Sequence, residues 1–197
     1  MPKVFYVLMI MTVVIVVLGG IFLWSSVSED LDIIPAVKVE PPENYKIIET
    51  AQGISVENSN VGLKFKVPEG WTAEKEEVQA DEWVINVLSP DIKFGEDGML
   101  SDGCGLSVWV EQDEITANVV RYEIADEEAH SENNEKIEIS SYSAMRITIG
   151  KEGWGEIQAV KVPIRDMVLM IDTLFRPNTE QRCSEVFNQF LEQVEIK

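Results

Sequence analysis

Hydrophobic positions change their spacing twice along this chain. From Val4 to Trp24 they form an unbroken run of 21 uncharged residues. From Ser25 to Asn44 they give way to Ser25, Ser26, Ser28, Pro35, Pro41 and Pro42 with acids between. From about Tyr45 onward they recur in short alternations. Leu63, Phe65 and Val67 alternate with Lys64 and Lys66, the period of a half-buried strand. Trp83, Ile85 and Val87 repeat the pattern, as do Leu106, Val108 and Val110. Further strands are predicted over Lys136–Ser140, Ala144–Ile149, Trp154–Val162 and Met167–Phe175. The last is apolar on both faces, with Val168 and Met170 on one and Met167, Leu169 and Ile171 on the other. It is therefore expected at the centre of a sheet covered on both sides.

Two stretches follow a helical period instead. Asp113 is placed to cap a helix through about Ala125, with Ile115, Val119 and Tyr122 predicted as its buried face. Asn178, with Gln181 three residues on, is placed to cap a second. In it Cys183, Val186, Phe187, Phe190 and Leu191 form one apolar stripe suited to covering a sheet. Val194–Lys197 is read as a final short strand. Mostly antiparallel strands with two packing helices predict an α+β fold.

The opening run is long enough, at about 1.5 Å per residue, to span a bilayer core of about 30 Å. It is too long for the apolar region of a cleaved signal peptide, and only Ser26-Val27-Ser28 approaches a cleavage site. No cysteine occurs before Cys104, so a lipid anchor directly after the run has no acceptor. The run also lacks the processing site and early glutamate of a pilin-like subunit, and it has no polar face for a core helix. Lys3 precedes it, and Glu29, Asp30 and Asp32 follow it. Residues 4–24 are thus expected to be a transmembrane signal-anchor in the cell membrane. Residues 1–3 would be cytoplasmic, 25–44 a Pro/Ser/acidic linker, and 45–197 an extracytoplasmic domain.

Charge narrows the partners. Thirty-five acids against sixteen bases give a net −19; the residues after the apolar run carry −20, and Lys3 before it carries +1. Such a surface repels phosphate backbones, so no nucleic-acid partner is expected.

Two motifs resemble a known family. Gly62-Leu63-Lys64-Phe65-Lys66-Val67-Pro68-Glu69-Gly70-Trp71 is similar to the opening of PsbP-like domains. Phe187-Asn188-Gln189-Phe190-Leu191, followed by Val194-Glu195-Ile196, is similar to their last helix and strand. The resemblance covers about Tyr45–Lys197. It implies an α/β/α sandwich around a mostly antiparallel sheet. It also implies an accessory or binding role without a shared catalytic motif. The photosynthetic role of one family member is not carried over, because its contact residues have no match here.

Candidate chemistry is sparse. Cys104 and Cys183, the only cysteines, permit a disulfide outside the cytoplasm or two buried thiols. Asp91, Glu96, Asp97 and Asp102 in the stretch Asp91–Gly103 offer oxygen ligands for calcium, but their spacing departs from a calcium loop and favours a solvated one. His130, the single histidine, sits in the acidic run Asp126–Glu132 and lacks the partners of a hydrolytic triad. Trp71 and Trp83 are predicted in the core. Trp109, flanked by polar Ser107 and Glu111, is predicted on an outer face or beneath a helix, as a surface contact. Trp154 is a further candidate pocket residue. No catalytic motif, cofactor or committed metal site is expected. The predicted role is a membrane-anchored binding or accessory domain with a protein partner in the envelope. The alternatives are an envelope enzyme using carboxylates or calcium, and a structural subunit of an envelope complex.

Overall fold

The structure is a computed structural model that describes residues 38–79, 82–95, 100–126, 133–151, 155–176 and 179–197. The apolar run Val4–Trp24 lies outside the described residues, as do Glu96, Asp97, His130, Trp154 and Asn178. Among the described residues no helix is long and apolar enough to cross a membrane.

Among the described residues every strand pair is antiparallel. A small sheet in the order β1-β2-β3-β13 joins β1 (Tyr45–Thr50), β2 (Gly53–Asn58), β3 (Leu63–Lys66) and β13 (Glu195–Ile196). The large sheet has seven strands: β4 (Thr72–Gln79), β5 (Glu82–Leu88), β8 (Gly105–Glu111), β12 (Met167–Phe175), β11 (Gly155–Ile164), β10 (Tyr142–Lys151) and β9 (Asn134–Ile139), in that order. Met167–Phe175 is its middle strand. A separate hairpin pairs β6 (Lys93–Phe94) with β7 (Leu100–Asp102), so the stretch read as a solvated loop is partly paired.

Alternation explains the main core. On β8, Leu106, Val108 and Val110 are fully buried, and Ile85, Val87, Leu169 and Ile171 share that face. The small sheet closes over them with Val56, Leu63 and Phe65. The helix α2 (Glu180–Leu191) adds Phe187, Phe190 and Leu191. Phe65 and Phe190 meet edge to face with centroids 5.2 Å apart, a geometry that adds about 0.5–1.5 kcal/mol beyond area burial. The expected α/β/α layering is therefore modified. Helices lie on both faces of the large sheet, but a second sheet shares one face with α2. Thr179, not Asn178, immediately precedes α2, and it makes no side-chain capping bond.

Cys104 and Cys183 form a disulfide, with Cα atoms 5.6 Å apart. It ties the entrance of β8 to the first turn of α2. Gly103 beside it has a positive φ of 84°, and an added Cβ there would collide with the backbone of Ile92.

The first helix, α1 (Glu114–Ala125), is capped by Asp113, whose carboxylate accepts the backbone N–H groups of Ile115 (3.0 Å) and Thr116 (3.3 Å). Its buried face is Ala117, Val120 and Ile124, packed on Met145, Val168, Ile147 and Met170. The predicted face, Ile115, Val119 and Tyr122, instead points to solvent at 71%, 50% and 71% exposure. Both sets fit a helical period. The sheet accepts the one with small Ala117, which permits close approach.

The folded unit also begins earlier than Tyr45. Lys38–Asn44, assigned by sequence to the linker, runs along the domain and ends in a 3-10 turn at Pro42–Asn44.

Candidate functional site

The large sheet is not continuous at one corner. β5 and β8 pair from Leu88↔Gly105 to Ile85↔Val108, and there the ladder ends. β5 continues to pair with β4 as far as Gln79↔Glu82, past a bulge between Glu77 and Gln79. The β4–β5 ribbon therefore leaves β8. The chain that precedes β1 takes the vacated pairing positions. Val39 forms an antiparallel bridge with Glu111, the Glu40 N–H donates to the Val110 carbonyl (2.8 Å), and the Gln112 N–H donates to that of Lys38 (2.6 Å).

A groove of about 560 Å³ opens at this splay. It lies on the face of β8 that carries Ser107, Trp109 and Glu111, opposite the core. α1 packs on that face over β10, β11 and β12, and among the described residues no helix packs on its β5–β8 side. Val39, Val78, Val84, Trp83 and Trp109 supply the apolar walls. Glu76, Glu82, Glu111 and Asp172 supply four carboxylates, and among the described residues no Lys or Arg lines the groove.

The polar atoms are organised. The Trp109 Nε1–H donates to Glu111 Oε1 at 3.0 Å, which fixes the indole plane. Ser107 Oγ donates to Asn86 Oδ1 at 2.8 Å, and Asn86 Nδ2 donates in turn to Glu76. Asp172 belongs to the central strand, on the face where Val168 and Met170 meet α1. It pairs in register with Ser107 of β8. Burial raises its carboxyl to about 6. None of the four carboxylates is in an ion pair among the described residues. The site can therefore match positive charge against an apolar, partly desolvated wall.

The sequence candidates divide unevenly over this geometry. Trp109 is on the outer face and half-buried in the groove. Trp83 is not a core residue, because β5 has already parted from β8 at that point; it is a half-buried groove wall. Trp71 is half-buried and packs against the main core. Among the described residues, Asp91 and Asp102 belong to no group of three metal-ligating side chains. Asp91 accepts from Arg182 at 2.7 Å and Asp102 from Lys93 at 3.2 Å, and both carboxyls are held below the usual range. Hydrogen bonding from Ser89 leads for the first, and the backbone N–H of Gly103 for the second. Among the described residues no group of three metal-ligating side chains is present.

Sequence reasoning missed Asp172, Glu76, Glu82 and Val39. Asp172 left a signal, since it is the one charged residue in the apolar strand Met167–Phe175. Val39 left none, because its pairing depends on where β5 ends.

No protein-family model matches the chain, and no curated protein matches it. Among solved structures, the chain is similar to LpqN, described as involved in cell envelope biogenesis of Mycobacterium tuberculosis. The TM-score is 0.48 and the identity 15%, over 85% of this chain and 96% of that one. That likeness is too slight to assign a shared fold, and no role is carried over from it.

Proposed function

We propose that this chain is a binding domain of the cell envelope, related to PsbP-like domains. In this reading Val4–Trp24 anchors it in the cell membrane and the domain works outside the cytoplasm as a non-catalytic accessory protein. The groove between β5 and β8 is its working surface. The observation that carries the reading is the groove itself, because a cavity with ordered polar groups interrupts a sheet that is otherwise paired. The Cys104–Cys183 bridge supports an extracytoplasmic location, since structural disulfides persist in oxidising compartments.

Two experiments test this. Protease added to intact cells is expected to release the acidic domain; full protection would reverse the topology. A photo-reactive residue at Val84, in the groove wall, is expected to give adducts in cells that the same residue at exposed Ile149 does not. Equal patterns at both sites would remove the groove from the function.

An envelope enzyme remains the second reading, favoured by one observation. Asp172 is a carboxyl raised to about 6 that lines a groove with three further acids. Turnover of a substrate that stops in Asp172→Asn with the fold intact would select it.

A further inference from the structure

We propose that the groove between β5 and β8 binds a linear aliphatic polyamine, with its ammonium groups on the carboxylates and its methylene segments along the two tryptophans. This rests on the groove being the working surface, and adds the class of ligand.

Three properties lead there. The volume, about 560 Å³, falls in the range of small-molecule sites, about 300–1,000 Å³, and does not require a folded partner. The charge is one-sided. Glu76 and Glu82 come from the ribbon, Glu111 from β8 and Asp172 from the central strand, with no base among the described lining residues. A ligand with a single charge leaves three of these acids uncompensated, whereas a polyamine presents several spaced cations. The remaining walls are Trp83, Trp109, Val39, Val78 and Val84. Indole faces attract ammonium groups through the ring quadrupole, and they shelter methylene groups from water.

A hydrated divalent cation fits less well. Magnesium and calcium favour converging oxygen ligands and gain nothing from apolar walls. Anionic ligands are repelled. The Trp109 indole is already positioned by its bond to Glu111, so its face is presented without further ordering.

Spermidine is the probe, added to the full chain in detergent at physiological ionic strength. Tryptophan fluorescence and calorimetry follow binding. Saturable binding at one site is expected, with magnesium at equal ionic strength at least 10-fold weaker. Trp109→Ala and Glu111→Gln are each expected to weaken spermidine by about 10-fold or more. Glu138→Gln, on the exposed part of β9, is expected to change nothing. Trp109→Phe keeps an aromatic face and is expected to retain most of the affinity, which guards against misfolding of the alanine variant. Circular dichroism of each variant accompanies the titration. Spermidine binding that magnesium matches, or that all groove variants leave intact, would be condensation on an acidic surface and overturns the proposal. Binding of tetralysine without spermidine overturns it in favour of a basic protein segment. That result leaves the groove as the working surface, whereas its loss in the crosslinking experiment at Val84 does not.

Discussion

Val39 bridges Glu111 across a gap that β5 has vacated. The segment Lys38–Glu40 thereby extends the large sheet, and Val39 forms one wall of the groove. The site thus depends on how firmly this segment is held.

Glu40 is the main fastening. It is 3% exposed, and its carboxylate accepts amide hydrogens from Asn44 (2.6 Å), Asn60 (3.4 Å) and Gln112. Glu40→Ala would leave the part-buried donors of Asn44 and Gln112 without this acceptor, at a cost of about 1–2 kcal/mol. Urea unfolding should show that loss. Hydrogen exchange should accelerate at the amides of Glu40 and Gln112, which close the bridge. Unchanged exchange would mean that the segment is held by other contacts.

Asp172 sets a pH dependence of stability. Its folded pKa of about 6 lies above the ordinary 3.8, so the folded state binds more protons than the unfolded one between these values. Stability contributed by the neutral form is complete below pH about 4 and falls as pH rises through 6. Asp172→Asn should therefore stabilise the domain by up to about 3 kcal/mol at pH 7.5 and by little at pH 4. Thermal melts at the two pH values measure the difference. An equal effect at both would contradict a desolvated carboxylate.

The Cys104–Cys183 bridge closes a loop of 79 residues in sequence separation. In the chain-entropy model such a crosslink is worth about 4–5 kcal/mol. The double substitution to serine, or reduction, should lower the denaturation midpoint accordingly. The greatest loss of exchange protection is expected in α2, which the bridge pins over the core. Retention of full stability under reductant would show that packing of Phe187 and Phe190 suffices.

The two faces of α1 make a paired test. Val120→Ala removes a buried contact with the sheet and should cost about 1–3 kcal/mol. Ile115→Ser, on the exposed stripe, should stay within about 0.5 kcal/mol. The opposite ranking would restore the face that periodicity alone selects.

Legibility in the sequence varied with the kind of element. β8 and β12 were plain because burial on one or both faces imposes a period of two on their residues. β4 was invisible. Its sequence Thr72–Gln79 is almost wholly polar, as suits a largely exposed edge strand that packs Ala73 against the core. For α1, periodicity correctly located the helix and its Asp113 cap but offered two apolar stripes. Nothing local distinguishes Ala117–Val120–Ile124 from Ile115–Val119–Tyr122, and only the shape of the opposing sheet does.

By itself the sequence determined the α+β class, the central placement of Met167–Phe175, the second helix and the acidity of the domain. Each is a property of neighbouring residues, written in spacing and composition. Tertiary structure alone decided the pairing of Cys104 with Cys183, the seat of Lys38–Asn44 and the groove that gathers Trp83, Trp109 and four carboxylates. These join residues far apart in the chain, and the groove lies at a corner created where β5 stops pairing with β8. Such a corner follows from the twist and length of the strands, which leave no local mark.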